Sequence, residues 1–425
     1  MKADMIVSGK LFMDYMFIEA SFAVYDGRII AIGKSLPNFS NTKRIEMNGS
    51  FVILPGMVDM HVHMRDLELS YKEDWFSGTS SAAAGGVTFV ADMPNTKPKT
   101  NNIDILKKKM TIADSKSVVD FGLYFGVPRN MEDFEKAIKL GILGLKIYPE
   151  DYNHPSLVDL IKKCTVSRKL TVVHPELLEY ISNSPPHSRA RPEIAEYMAV
   201  RKFIELSLER DLRIHLTHIT TYQSLLDIIN AKIKGADITC DVTPHHIFLN
   251  RGLEHKIGFL SKVNPPLRKE SDRIMLFNGF RSFLVDAYVT DHAPHSNREK
   301  EKVEYSEVPP GFPGLEIALP LLLDSVFKGD FPLSILNLYS RNPAHILGLK
   351  KGAFVISYDA DFVVVNYKKR WIINGEEFIS KAKYTPFEGF EVKGKIYKTF
   401  VRGINVFDDG EILVRSGFGK NVGLV

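Results

Sequence analysis

Two histidines one residue apart, followed by an arginine, form the stretch of the sequence with the clearest potential for chemistry. His61, His63 and Arg65 alternate with the apolar residues Val62 and Met64. Because successive side chains of a β-strand point to opposite faces, we predict that both imidazoles and the guanidinium share one face. An H-x-H pair suits a first-row metal such as zinc. Two histidines alone are an incomplete site, and a chance His-Val-His in a half-exposed strand would have the same pattern.

The elements that must position these residues alternate between strand-like and helix-like segments. Eight apolar runs have the length and composition of strands: residues 57–64, 87–93, 119–126, 143–148, 170–174, 212–218, 237–242 and 283–290. Most of them are separated by amphipathic or alanine-rich segments typical of helices, such as residues 77–84, 103–113, 131–139, 156–167, 193–209 and 222–233. Strands alternating with helices indicate parallel βα units, and eight units predict an α/β fold with a (β/α)8 barrel of the TIM type.

The two ends of the chain have a different texture from the middle. Short β-rich runs occur at residues 5–7, 22–25, 28–32 and 51–54, and again at residues 353–357, 361–366, 399–401 and 411–414. Neither end is long enough for a convincing core of its own. We therefore predict one small composite β-sandwich built from residues 1–54 and 346–425, beside a catalytic barrel of residues 55–345. The junctions are expected at Pro55-Gly56 and near Asn342-Pro343.

The overall composition excludes several classes of protein. A net charge of +4 over 425 residues is small, and the lysine runs are short, which argues against a nucleic-acid partner. The N-terminus has no apolar signal region, and no stretch approaches the roughly 18 apolar residues of a membrane span. Cys164 and Cys240 are far apart without C-x-x-C spacing, which favours a reducing compartment. We expect a cytoplasmic protein without a membrane anchor.

The barrel hypothesis predicts where further metal ligands should lie. Active sites of such barrels occupy the C-terminal ends of the strands. His174 and His218 end the fifth and sixth predicted strands, and Asp291 follows the eighth. One such residue alone would more often be structural, but a coincidence across several strand ends is much less probable. With His61 and His63 these ligands exceed the needs of one catalytic zinc and fall short of two without a bridging anion.

Lys146, in the fourth predicted strand, has the chemistry to supply that anion. Burial disfavours its ammonium form, which lowers the pKa and provides neutral amine. Neutral amine reacts with carbon dioxide to give a carbamate, whose two oxygens can bridge two cations. An ion-paired or snorkelling lysine is the alternative at this point.

Seven short motifs follow one another along the chain: His-Val-His-Met-Arg-Asp at 61–66, Met-Pro-Asn-Thr at 93–96, Gly-Leu-Lys-Ile-Tyr at 144–148, Pro-His-His at 244–246, Lys-Val-Asn-Pro-Pro-Leu-Arg at 262–268, Asp-His-Ala-Pro-His at 291–295 and Pro-Gly-Phe-Pro-Gly-Leu-Glu at 310–316. In this order they resemble the motifs of dihydroorotase, a cyclic amidohydrolase of the amidohydrolase superfamily. The resemblance spans roughly residues 50–345 and recurs faintly at residues 383–389.

The resemblance implies an activity and a cofactor. The implied reaction is the reversible, zinc-dependent hydrolysis of the cyclic amide of dihydroorotate to N-carbamoyl-L-aspartate, a step of pyrimidine biosynthesis. The implied cofactor is a pair of Zn²⁺ ions per chain, bridged by an N6-carboxylated Lys146 and a hydroxide. Asp291 would be both a metal ligand and the catalytic proton carrier. A homodimer and an association with aspartate carbamoyltransferase are compatible with the resemblance and are left open by the sequence.

The same resemblance assigns roles to individual residues. The implied ligands of the more buried zinc are His61, His63 and Asp291, and those of the other zinc are His174 and His218. The implied substrate-binding residues hold the free carboxylate or contact the pyrimidine ring: Arg65, Asn95 and His295 for the carboxylate, and Asn264 with the backbone of Pro310 and Gly311 for the ring.

Two points of the pattern leave alternatives open. Some relatives place a threonine in a mobile loop after the fourth strand, whereas residues 149–156 read Pro-Glu-Asp-Tyr-Asn-His-Pro-Ser. Certain bacterial relatives use an aspartate as the bridge, which makes Asp151 a competitor of Lys146.

Hydantoinase and allantoinase share the barrel and the metal motif, but their substrates lack the carboxylate that Arg65 would bind. A non-catalytic partner of aspartate carbamoyltransferase would be expected to have lost ligands, and no ligand is lost here.

Overall fold

The polypeptide forms two β-sheets that differ in strand direction and in position along the chain. A computed structural model of the protein describes residues 2–39, 42–302 and 304–424. The N-terminal strands are β1 (Met5–Met13), β2 (Met16–Tyr25), β3 (Arg28–Gly33), β4 (Lys43–Met47) and β5 (Phe51–Pro55). The central strands are β6 (Met57–Val62), β7 (Val87–Asp92), β8 (Asp120–Gly126), β9 (Gly144–Ile147), β10 (Leu170–Val173), β11 (Ile214–Leu216), β12 (Ile238–Val242) and β13 (Ala287–Tyr288). The C-terminal strands are β14 (Phe362–Ile372), β15 (Glu391–Val401), β16 (Ile404–Asp408) and β17 (Glu411–Ile412).

Helices occupy the connections between the central strands. The α-helices are α1 (Trp75–Ala84), α2 (Ile103–Lys116), α3 (Met131–Lys139), α4 (Leu157–Val166), α5 (His187–Ala190), α6 (Glu193–Arg210), α7 (Tyr222–Ile233), α8 (Pro244–Phe248), α9 (Glu254–Ile257), α10 (Glu270–Arg281), α11 (Asn297–Lys300), α12 (Leu315–Lys328) and α13 (Arg341–Leu347). Short 3-10 turns lie at Leu67–Leu69, Pro149–Asp151, Leu178–Tyr180, Arg251–Leu253, Gly258–Ser261, Tyr305–Glu307, Leu333–Tyr339, Gly375–Glu377 and Val422–Leu424.

The central strands form a parallel barrel. In the described part of the chain, eight strands pair in sequence order from β6 to β13, and a parallel bridge between Val62 and His292 joins the two ends. Strands such as β7 and β8 are buried along their whole length because side chains on one face fill the barrel and those on the other face meet the helices. The predicted (β/α)8 barrel is confirmed.

The terminal segments build a separate sheet, as predicted. Within the described residues this sheet has nine strands, in which β5 pairs with β14 and so joins the N-terminal and C-terminal segments. Side chains of β14 alternate between two cores: Phe362 and Val364 pack with Phe22 inside the sheet, whereas Val363 and Val365 pack against the barrel. The domain boundaries at residues 54 and 346 stay a prediction.

Some local predictions differ from the structure. Residues 353–357 were expected to be a strand but form a turn, in which the Ser357 N–H donates to the Ile29 carbonyl at 2.8 Å. Strand β6 ends at Val62, so Arg65 does not lie on the strand face as its alternation with the histidines predicted. Arg65 instead adopts a left-handed backbone conformation with φ 57° in the following loop.

No helix among the described residues is both long enough and apolar enough to cross a membrane.

Candidate active site

The candidate site is a cavity of about 360 Å³ at the C-terminal ends of the barrel strands. The structure brings the predicted site residues together there. Those that line the cavity are His61, His63, Arg65, Asn95, His174, His218, Asn264, Asp291, His295, Pro310 and Gly311. Lys146 is the exception, since it is fully buried in β9 and does not line the open volume.

His61, His63 and Asp291 converge on one point. Both Nε2 atoms face the same carboxylate oxygen, Oδ1 of Asp291, at 3.4 Å from His61 and 3.0 Å from His63. Burial lowers the pKa of both imidazoles, so each is neutral and has a lone pair to offer a cation. Burial raises the pKa of the Asp291 carboxyl. The three ligand atoms lie within 4.8 Å of one another, so they could hold one metal ion.

Hydrogen bonds on the far side of each ring set the direction of these lone pairs. The Thr217 hydroxyl donates to Asp241 at 2.9 Å, so its oxygen accepts from Nδ1–H of His61 at 2.6 Å. The amide oxygen of Asn95 accepts from Nδ1–H of His63 at 2.6 Å. In each ring Nε2 is therefore the unprotonated nitrogen, as a metal ligand requires. Asn95 thus contacts a candidate ligand as well as lining the cavity.

His174 and His218 occupy the neighbouring wall of the cavity, with ring centroids 4.5 Å apart. Nε2 of His174 donates to the buried carboxylate of Glu176 at 2.7 Å, which leaves Nδ1 as its lone-pair nitrogen. Glu176 in turn accepts from the Arg191 guanidinium, and Arg191 lowers the pKa of this buried carboxyl. The backbone N–H of His218 donates to Asp241.

Two candidate ligands have strained backbones. His218 and Asp291 adopt left-handed conformations with φ 43° and 48°, respectively. Residues other than glycine rarely occupy this region, and such strain concentrates at functional sites. The turn lets each side chain face the cavity directly after its strand.

Lys146 has the properties expected of a lysine that can be modified. Its Nζ is buried and has no hydrogen-bond partner among the described residues. No described carboxylate lies within ion-pair distance of it. Burial lowers the pKa of Lys146, so neutral amine is available. An unpaired buried ammonium would be costly, so the ion-paired alternative has no support in the described residues.

Asp151, the competing bridge, is engaged elsewhere. Its carboxylate accepts from the Tyr148 N–H at 3.0 Å and caps the 3-10 turn that begins at Pro149. It is not among the described residues that line the cavity, whereas the neighbouring Glu150 is. Glu150 pairs with Lys99 at 2.9 Å, which ties the loop after β9 to the loop after β7.

One part of the cavity wall is cationic. Nη2 of Arg65 lies 3.1 Å from Nε2 of His295, and Nε of Arg65 donates to the Pro294 carbonyl at 3.1 Å. The Lys72 ammonium, which pairs with Glu299 at 2.7 Å, donates to Nδ1 of His295 at 3.0 Å. His295 therefore carries its hydrogen on Nε2, as a donor. This part of the cavity wall therefore carries the buried guanidinium of Arg65 beside a histidine and a lysine.

The backbone at Pro310 and Gly311 closes a third side of the cavity. Gly311 has φ 124°, and a Cβ atom there would lie 2.6 Å from the Ala293 carbonyl oxygen, so only glycine fits without a shift. The Pro310 carbonyl accepts from His295 at 3.0 Å. Asn264 lines the cavity near this backbone.

Several residues of the site were not found by sequence reasoning. They support or line the cavity without matching a ligand motif: Lys72, Tyr148, Glu176, Arg191, Thr217 and Asp241. Glu176, two residues after His174, and Thr217, next to His218, could have been found by position. Lys72 and Arg191 could not, because they reach the site through loops.

A second acidic group, formed by Asp120, Asp359 and Asp361, lies outside the cavity. Lys351 pairs with all three carboxylates at 2.7 to 2.8 Å, and Arg402 also contacts Asp120. Each of the three carboxylates therefore already has a cationic partner, and the cluster is a structural ion-pair network.

Known proteins resemble this chain over nearly its whole length. The amidohydrolase family model matches residues 213–406, and the dihydro-orotase-like model matches residues 50–126. Among curated proteins, a dihydroorotase of Methanothermobacter thermautotrophicus is 37% identical over 94% of both chains. A dihydroorotase of Pyrococcus horikoshii is 37% identical over 97% of this chain and 94% of its own.

Solved structures share the whole architecture. The L-hydantoinase (dihydropyrimidinase) of Arthrobacter aurescens superposes with a TM-score of 0.91 at 27% identity, covering 98% of this chain and 99% of its own. The dihydropyrimidinase of Brevibacillus agri has a TM-score of 0.90 at 23% identity over 98% of both chains, which supports the fold alone. With relatives of this identity and coverage, the chain belongs to the dihydroorotase family of amidohydrolases.

Proposed function

We propose that the protein catalyses the reversible hydrolysis of the ring amide of dihydroorotate to N-carbamoyl-L-aspartate, a step of pyrimidine biosynthesis. One observation carries the proposal: the same cavity is lined by a cluster of candidate metal ligands and by the buried guanidinium of Arg65. A substrate that fits both must offer a hydrolysable amide and an anionic group. Dihydroorotate has both, and the curated relatives are named for this reaction.

The residues present fit a pair of zinc ions. His61, His63 and Asp291 would hold one ion, and His174 and His218 would hold the other. The unpaired, buried Nζ of Lys146 supports its carboxylation to the bridging ligand. When bound, zinc would lower the pKa of a water molecule and polarise the scissile carbonyl.

The side chains of the protein then have separate tasks. Arg65, with His295 beside it, would hold the free carboxylate, since a planar guanidinium defines the orientation of a carboxylate. Asn95 would help to hold that carboxylate, and Asn264 with the backbone of Pro310 and Gly311 would contact the ring. The Asp291 carboxylate would take a proton from the attacking water and return it to the departing ring nitrogen, so that one group serves first as base and then as acid.

A hydantoinase activity is the second candidate, because hydantoinases have the same architecture at 27% identity or lower. Hydantoin and dihydrouracil lack a carboxylate at the position that Arg65 faces. When such a substrate fills the cavity, the buried guanidinium of Arg65 is left without an anionic partner, and this cost weakens binding. Dihydroorotate supplies the anionic partner and is therefore the favoured substrate.

We also propose where the enzyme is located and with what it assembles. A cytoplasmic location is supported by Cys164 and Cys240, which are both buried and unpaired. A homodimer and an association with aspartate carbamoyltransferase stay predictions, which light scattering of the protein with and without the transcarbamoylase would test.

The function is tested by measuring metal content and substrate preference on the same preparation. We expect close to two zinc ions per chain and faster turnover of dihydroorotate than of hydantoin, allantoin or dihydrouracil. Removal of the metal with a chelator should abolish turnover, and added zinc should restore it. Faster turnover of hydantoin or allantoin than of dihydroorotate would overturn the proposal.

A further inference from the structure

His187 is a buried histidine outside the predicted site, yet it contacts a residue that lines the cavity. It is the first residue of α5, in the loop after β10, and only 6% of it is exposed. Its Nε2 lies 2.9 Å from the Val263 carbonyl oxygen and 3.0 Å from the side-chain amide of Asn264. Its Nδ1 lies 2.6 Å from the Tyr305 hydroxyl.

The backbone carbonyl decides which nitrogen of the ring carries the hydrogen. A carbonyl oxygen only accepts, so Nε2 of His187 must be the protonated nitrogen. The Asn264 atom that faces the same Nε2 must then also be an acceptor, which is its amide oxygen. Burial lowers the pKa of His187 to about 4, so the ring is neutral and Nδ1 accepts from Tyr305.

This arrangement leaves the other half of the Asn264 amide free. Its oxygen is occupied by His187, and its NH2 group has no acceptor among the described residues. Asn264 lines the cavity, so the NH2 group is the part of the amide available to a ligand. A rotated amide would present an acceptor instead and would favour a ring N–H over a ring carbonyl.

We propose that His187 is a positioning residue that fixes the amide of Asn264 with its NH2 group toward the cavity, so that the site recognises a carbonyl oxygen of the substrate ring. The inference deepens the proposed function and rests on it for the identity of the ring. Tyr305 completes the arrangement, and the hydrogen bonds join the loops after β10, β12 and β13.

A double-mutant cycle tests the coupling. His187→Leu should lower kcat/KM for dihydroorotate about 10- to 100-fold, mainly through KM, because Asn264 loses the partner that orients it. Asn264→Ala should have a similar effect. The double variant should be no worse than Asn264→Ala alone, because His187 acts through Asn264. Losses that multiply would show that His187 acts independently and would overturn the proposal.

Matched variants separate positioning from loop packing. His187→Gln retains an N–H donor and should recover part of the KM that His187→Leu loses. His255→Leu changes an exposed histidine of the neighbouring α9 and should match the parent. Equal losses for His187→Gln and His187→Leu would contradict a role for the donor.

Nitrogen NMR of the histidine-labelled parent enzyme provides a readout that does not depend on turnover. The signal that disappears in His187→Gln should be that of a neutral ring with hydrogen on Nε2. A ring with hydrogen on Nδ1 would overturn the proposal. Should the parent hydrolyse another cyclic amide and leave dihydroorotate untouched, the proposed function fails. The cycle on that amide still decides the role of His187.

Discussion

Nδ1 of His61 lies 2.6 Å from the hydroxyl oxygen of Thr217, which follows a different strand of the barrel. Since Thr217 donates its own hydrogen to Asp241, it accepts from His61 and directs Nε2 of that ring toward Asp291. The hydroxyl therefore selects the tautomer of a candidate metal ligand. Partners of this kind orient metal ligands and tune their affinity.

Thr217→Val should therefore weaken zinc binding while preserving the shape of the site. We expect an affinity about 10- to 100-fold lower, as is typical when the partner of a histidine ligand is removed. Competition with a chromophoric chelator would measure it. Thr88→Val is the matched control, because Thr88 is also a buried threonine of the barrel, in β7, but its hydroxyl donates to the backbone carbonyl of Met57 in β6 and contacts no candidate ligand. Equal zinc affinity for Thr217→Val and Thr88→Val would contradict the role.

Replacing Lys146 by Ala should remove the bridging group. We expect loss of at least one zinc ion and turnover reduced at least as much as the 10- to 100-fold typical of a lost supporting residue. Short carboxylic acids should restore part of the activity by standing in for the carbamate, and should leave the parent unchanged. If metal analysis found two zinc ions in Lys146→Ala and its turnover were normal, Lys146 would not be the bridging ligand.

Asp291→Asn separates metal binding from proton transfer. The amide retains one coordinating oxygen but accepts no proton. Turnover should fall by roughly the 10²- to 10⁴-fold typical of lost general acid–base catalysis, with the zinc content largely kept. Steady-state kinetics on preparations of known metal content would measure this. Near-normal turnover would exclude Asp291 as the proton carrier.

The sequence predicted the elements of the barrel more accurately than those of the terminal sheet. Helices α3 and α7 match their predicted bounds, because their apolar periodicity begins directly after a capping residue, Asn130 and Thr221 respectively. Strand β1 was expected to end at Val7 but continues to Met13 through its antiparallel pairing with β2. Pairing between segments is tertiary information, and it outweighs local composition at such edges.

The same distinction applies to the site. Residues at strand ends, such as His174 and Asp291, could be placed because a parallel barrel gathers its strand ends on one side. Residues that reach the site through loops could not be placed from the sequence, because their positions depend on backbone turns that have no sequence pattern. His187 and Lys72 are residues of this kind. The sequence also did not predict that the chain leaves the strand before Arg65, where the backbone becomes left-handed.

His187 should also affect how stability depends on pH. Its pKa falls from the ordinary 6.5 to about 4 on folding, so the unfolded chain binds the proton more readily. The stabilisation is therefore complete above about pH 6.5 and is lost as the pH falls toward 4. Urea unfolding at pH 7.5 and pH 5 should show a smaller loss of unfolding free energy for His187→Gln than for the parent. His255→Gln, which changes an exposed histidine, should follow the parent.

An equal pH dependence for His187→Gln and the parent would show that the ring of His187 does not stay neutral in the folded protein.

Arg65→Met tests which substrate binds to the cationic part of the cavity wall. If the guanidinium holds the free carboxylate with His295, kcat/KM for dihydroorotate should fall about 10- to 100-fold, because a charge-assisted hydrogen bond is lost and the bound anion is left unpaired. Dihydrouracil lacks that carboxylate, so the variant should lose far less on this analogue, which the parent already turns over poorly. Arg65→Lys keeps the positive charge but loses the two parallel N–H donors of the guanidinium. Its kcat/KM for dihydroorotate should therefore lie between that of the parent and that of Arg65→Met. The decisive quantity is the ratio of the two losses. Comparable losses on both substrates would give Arg65 a structural role and return hydantoinase activity to first place.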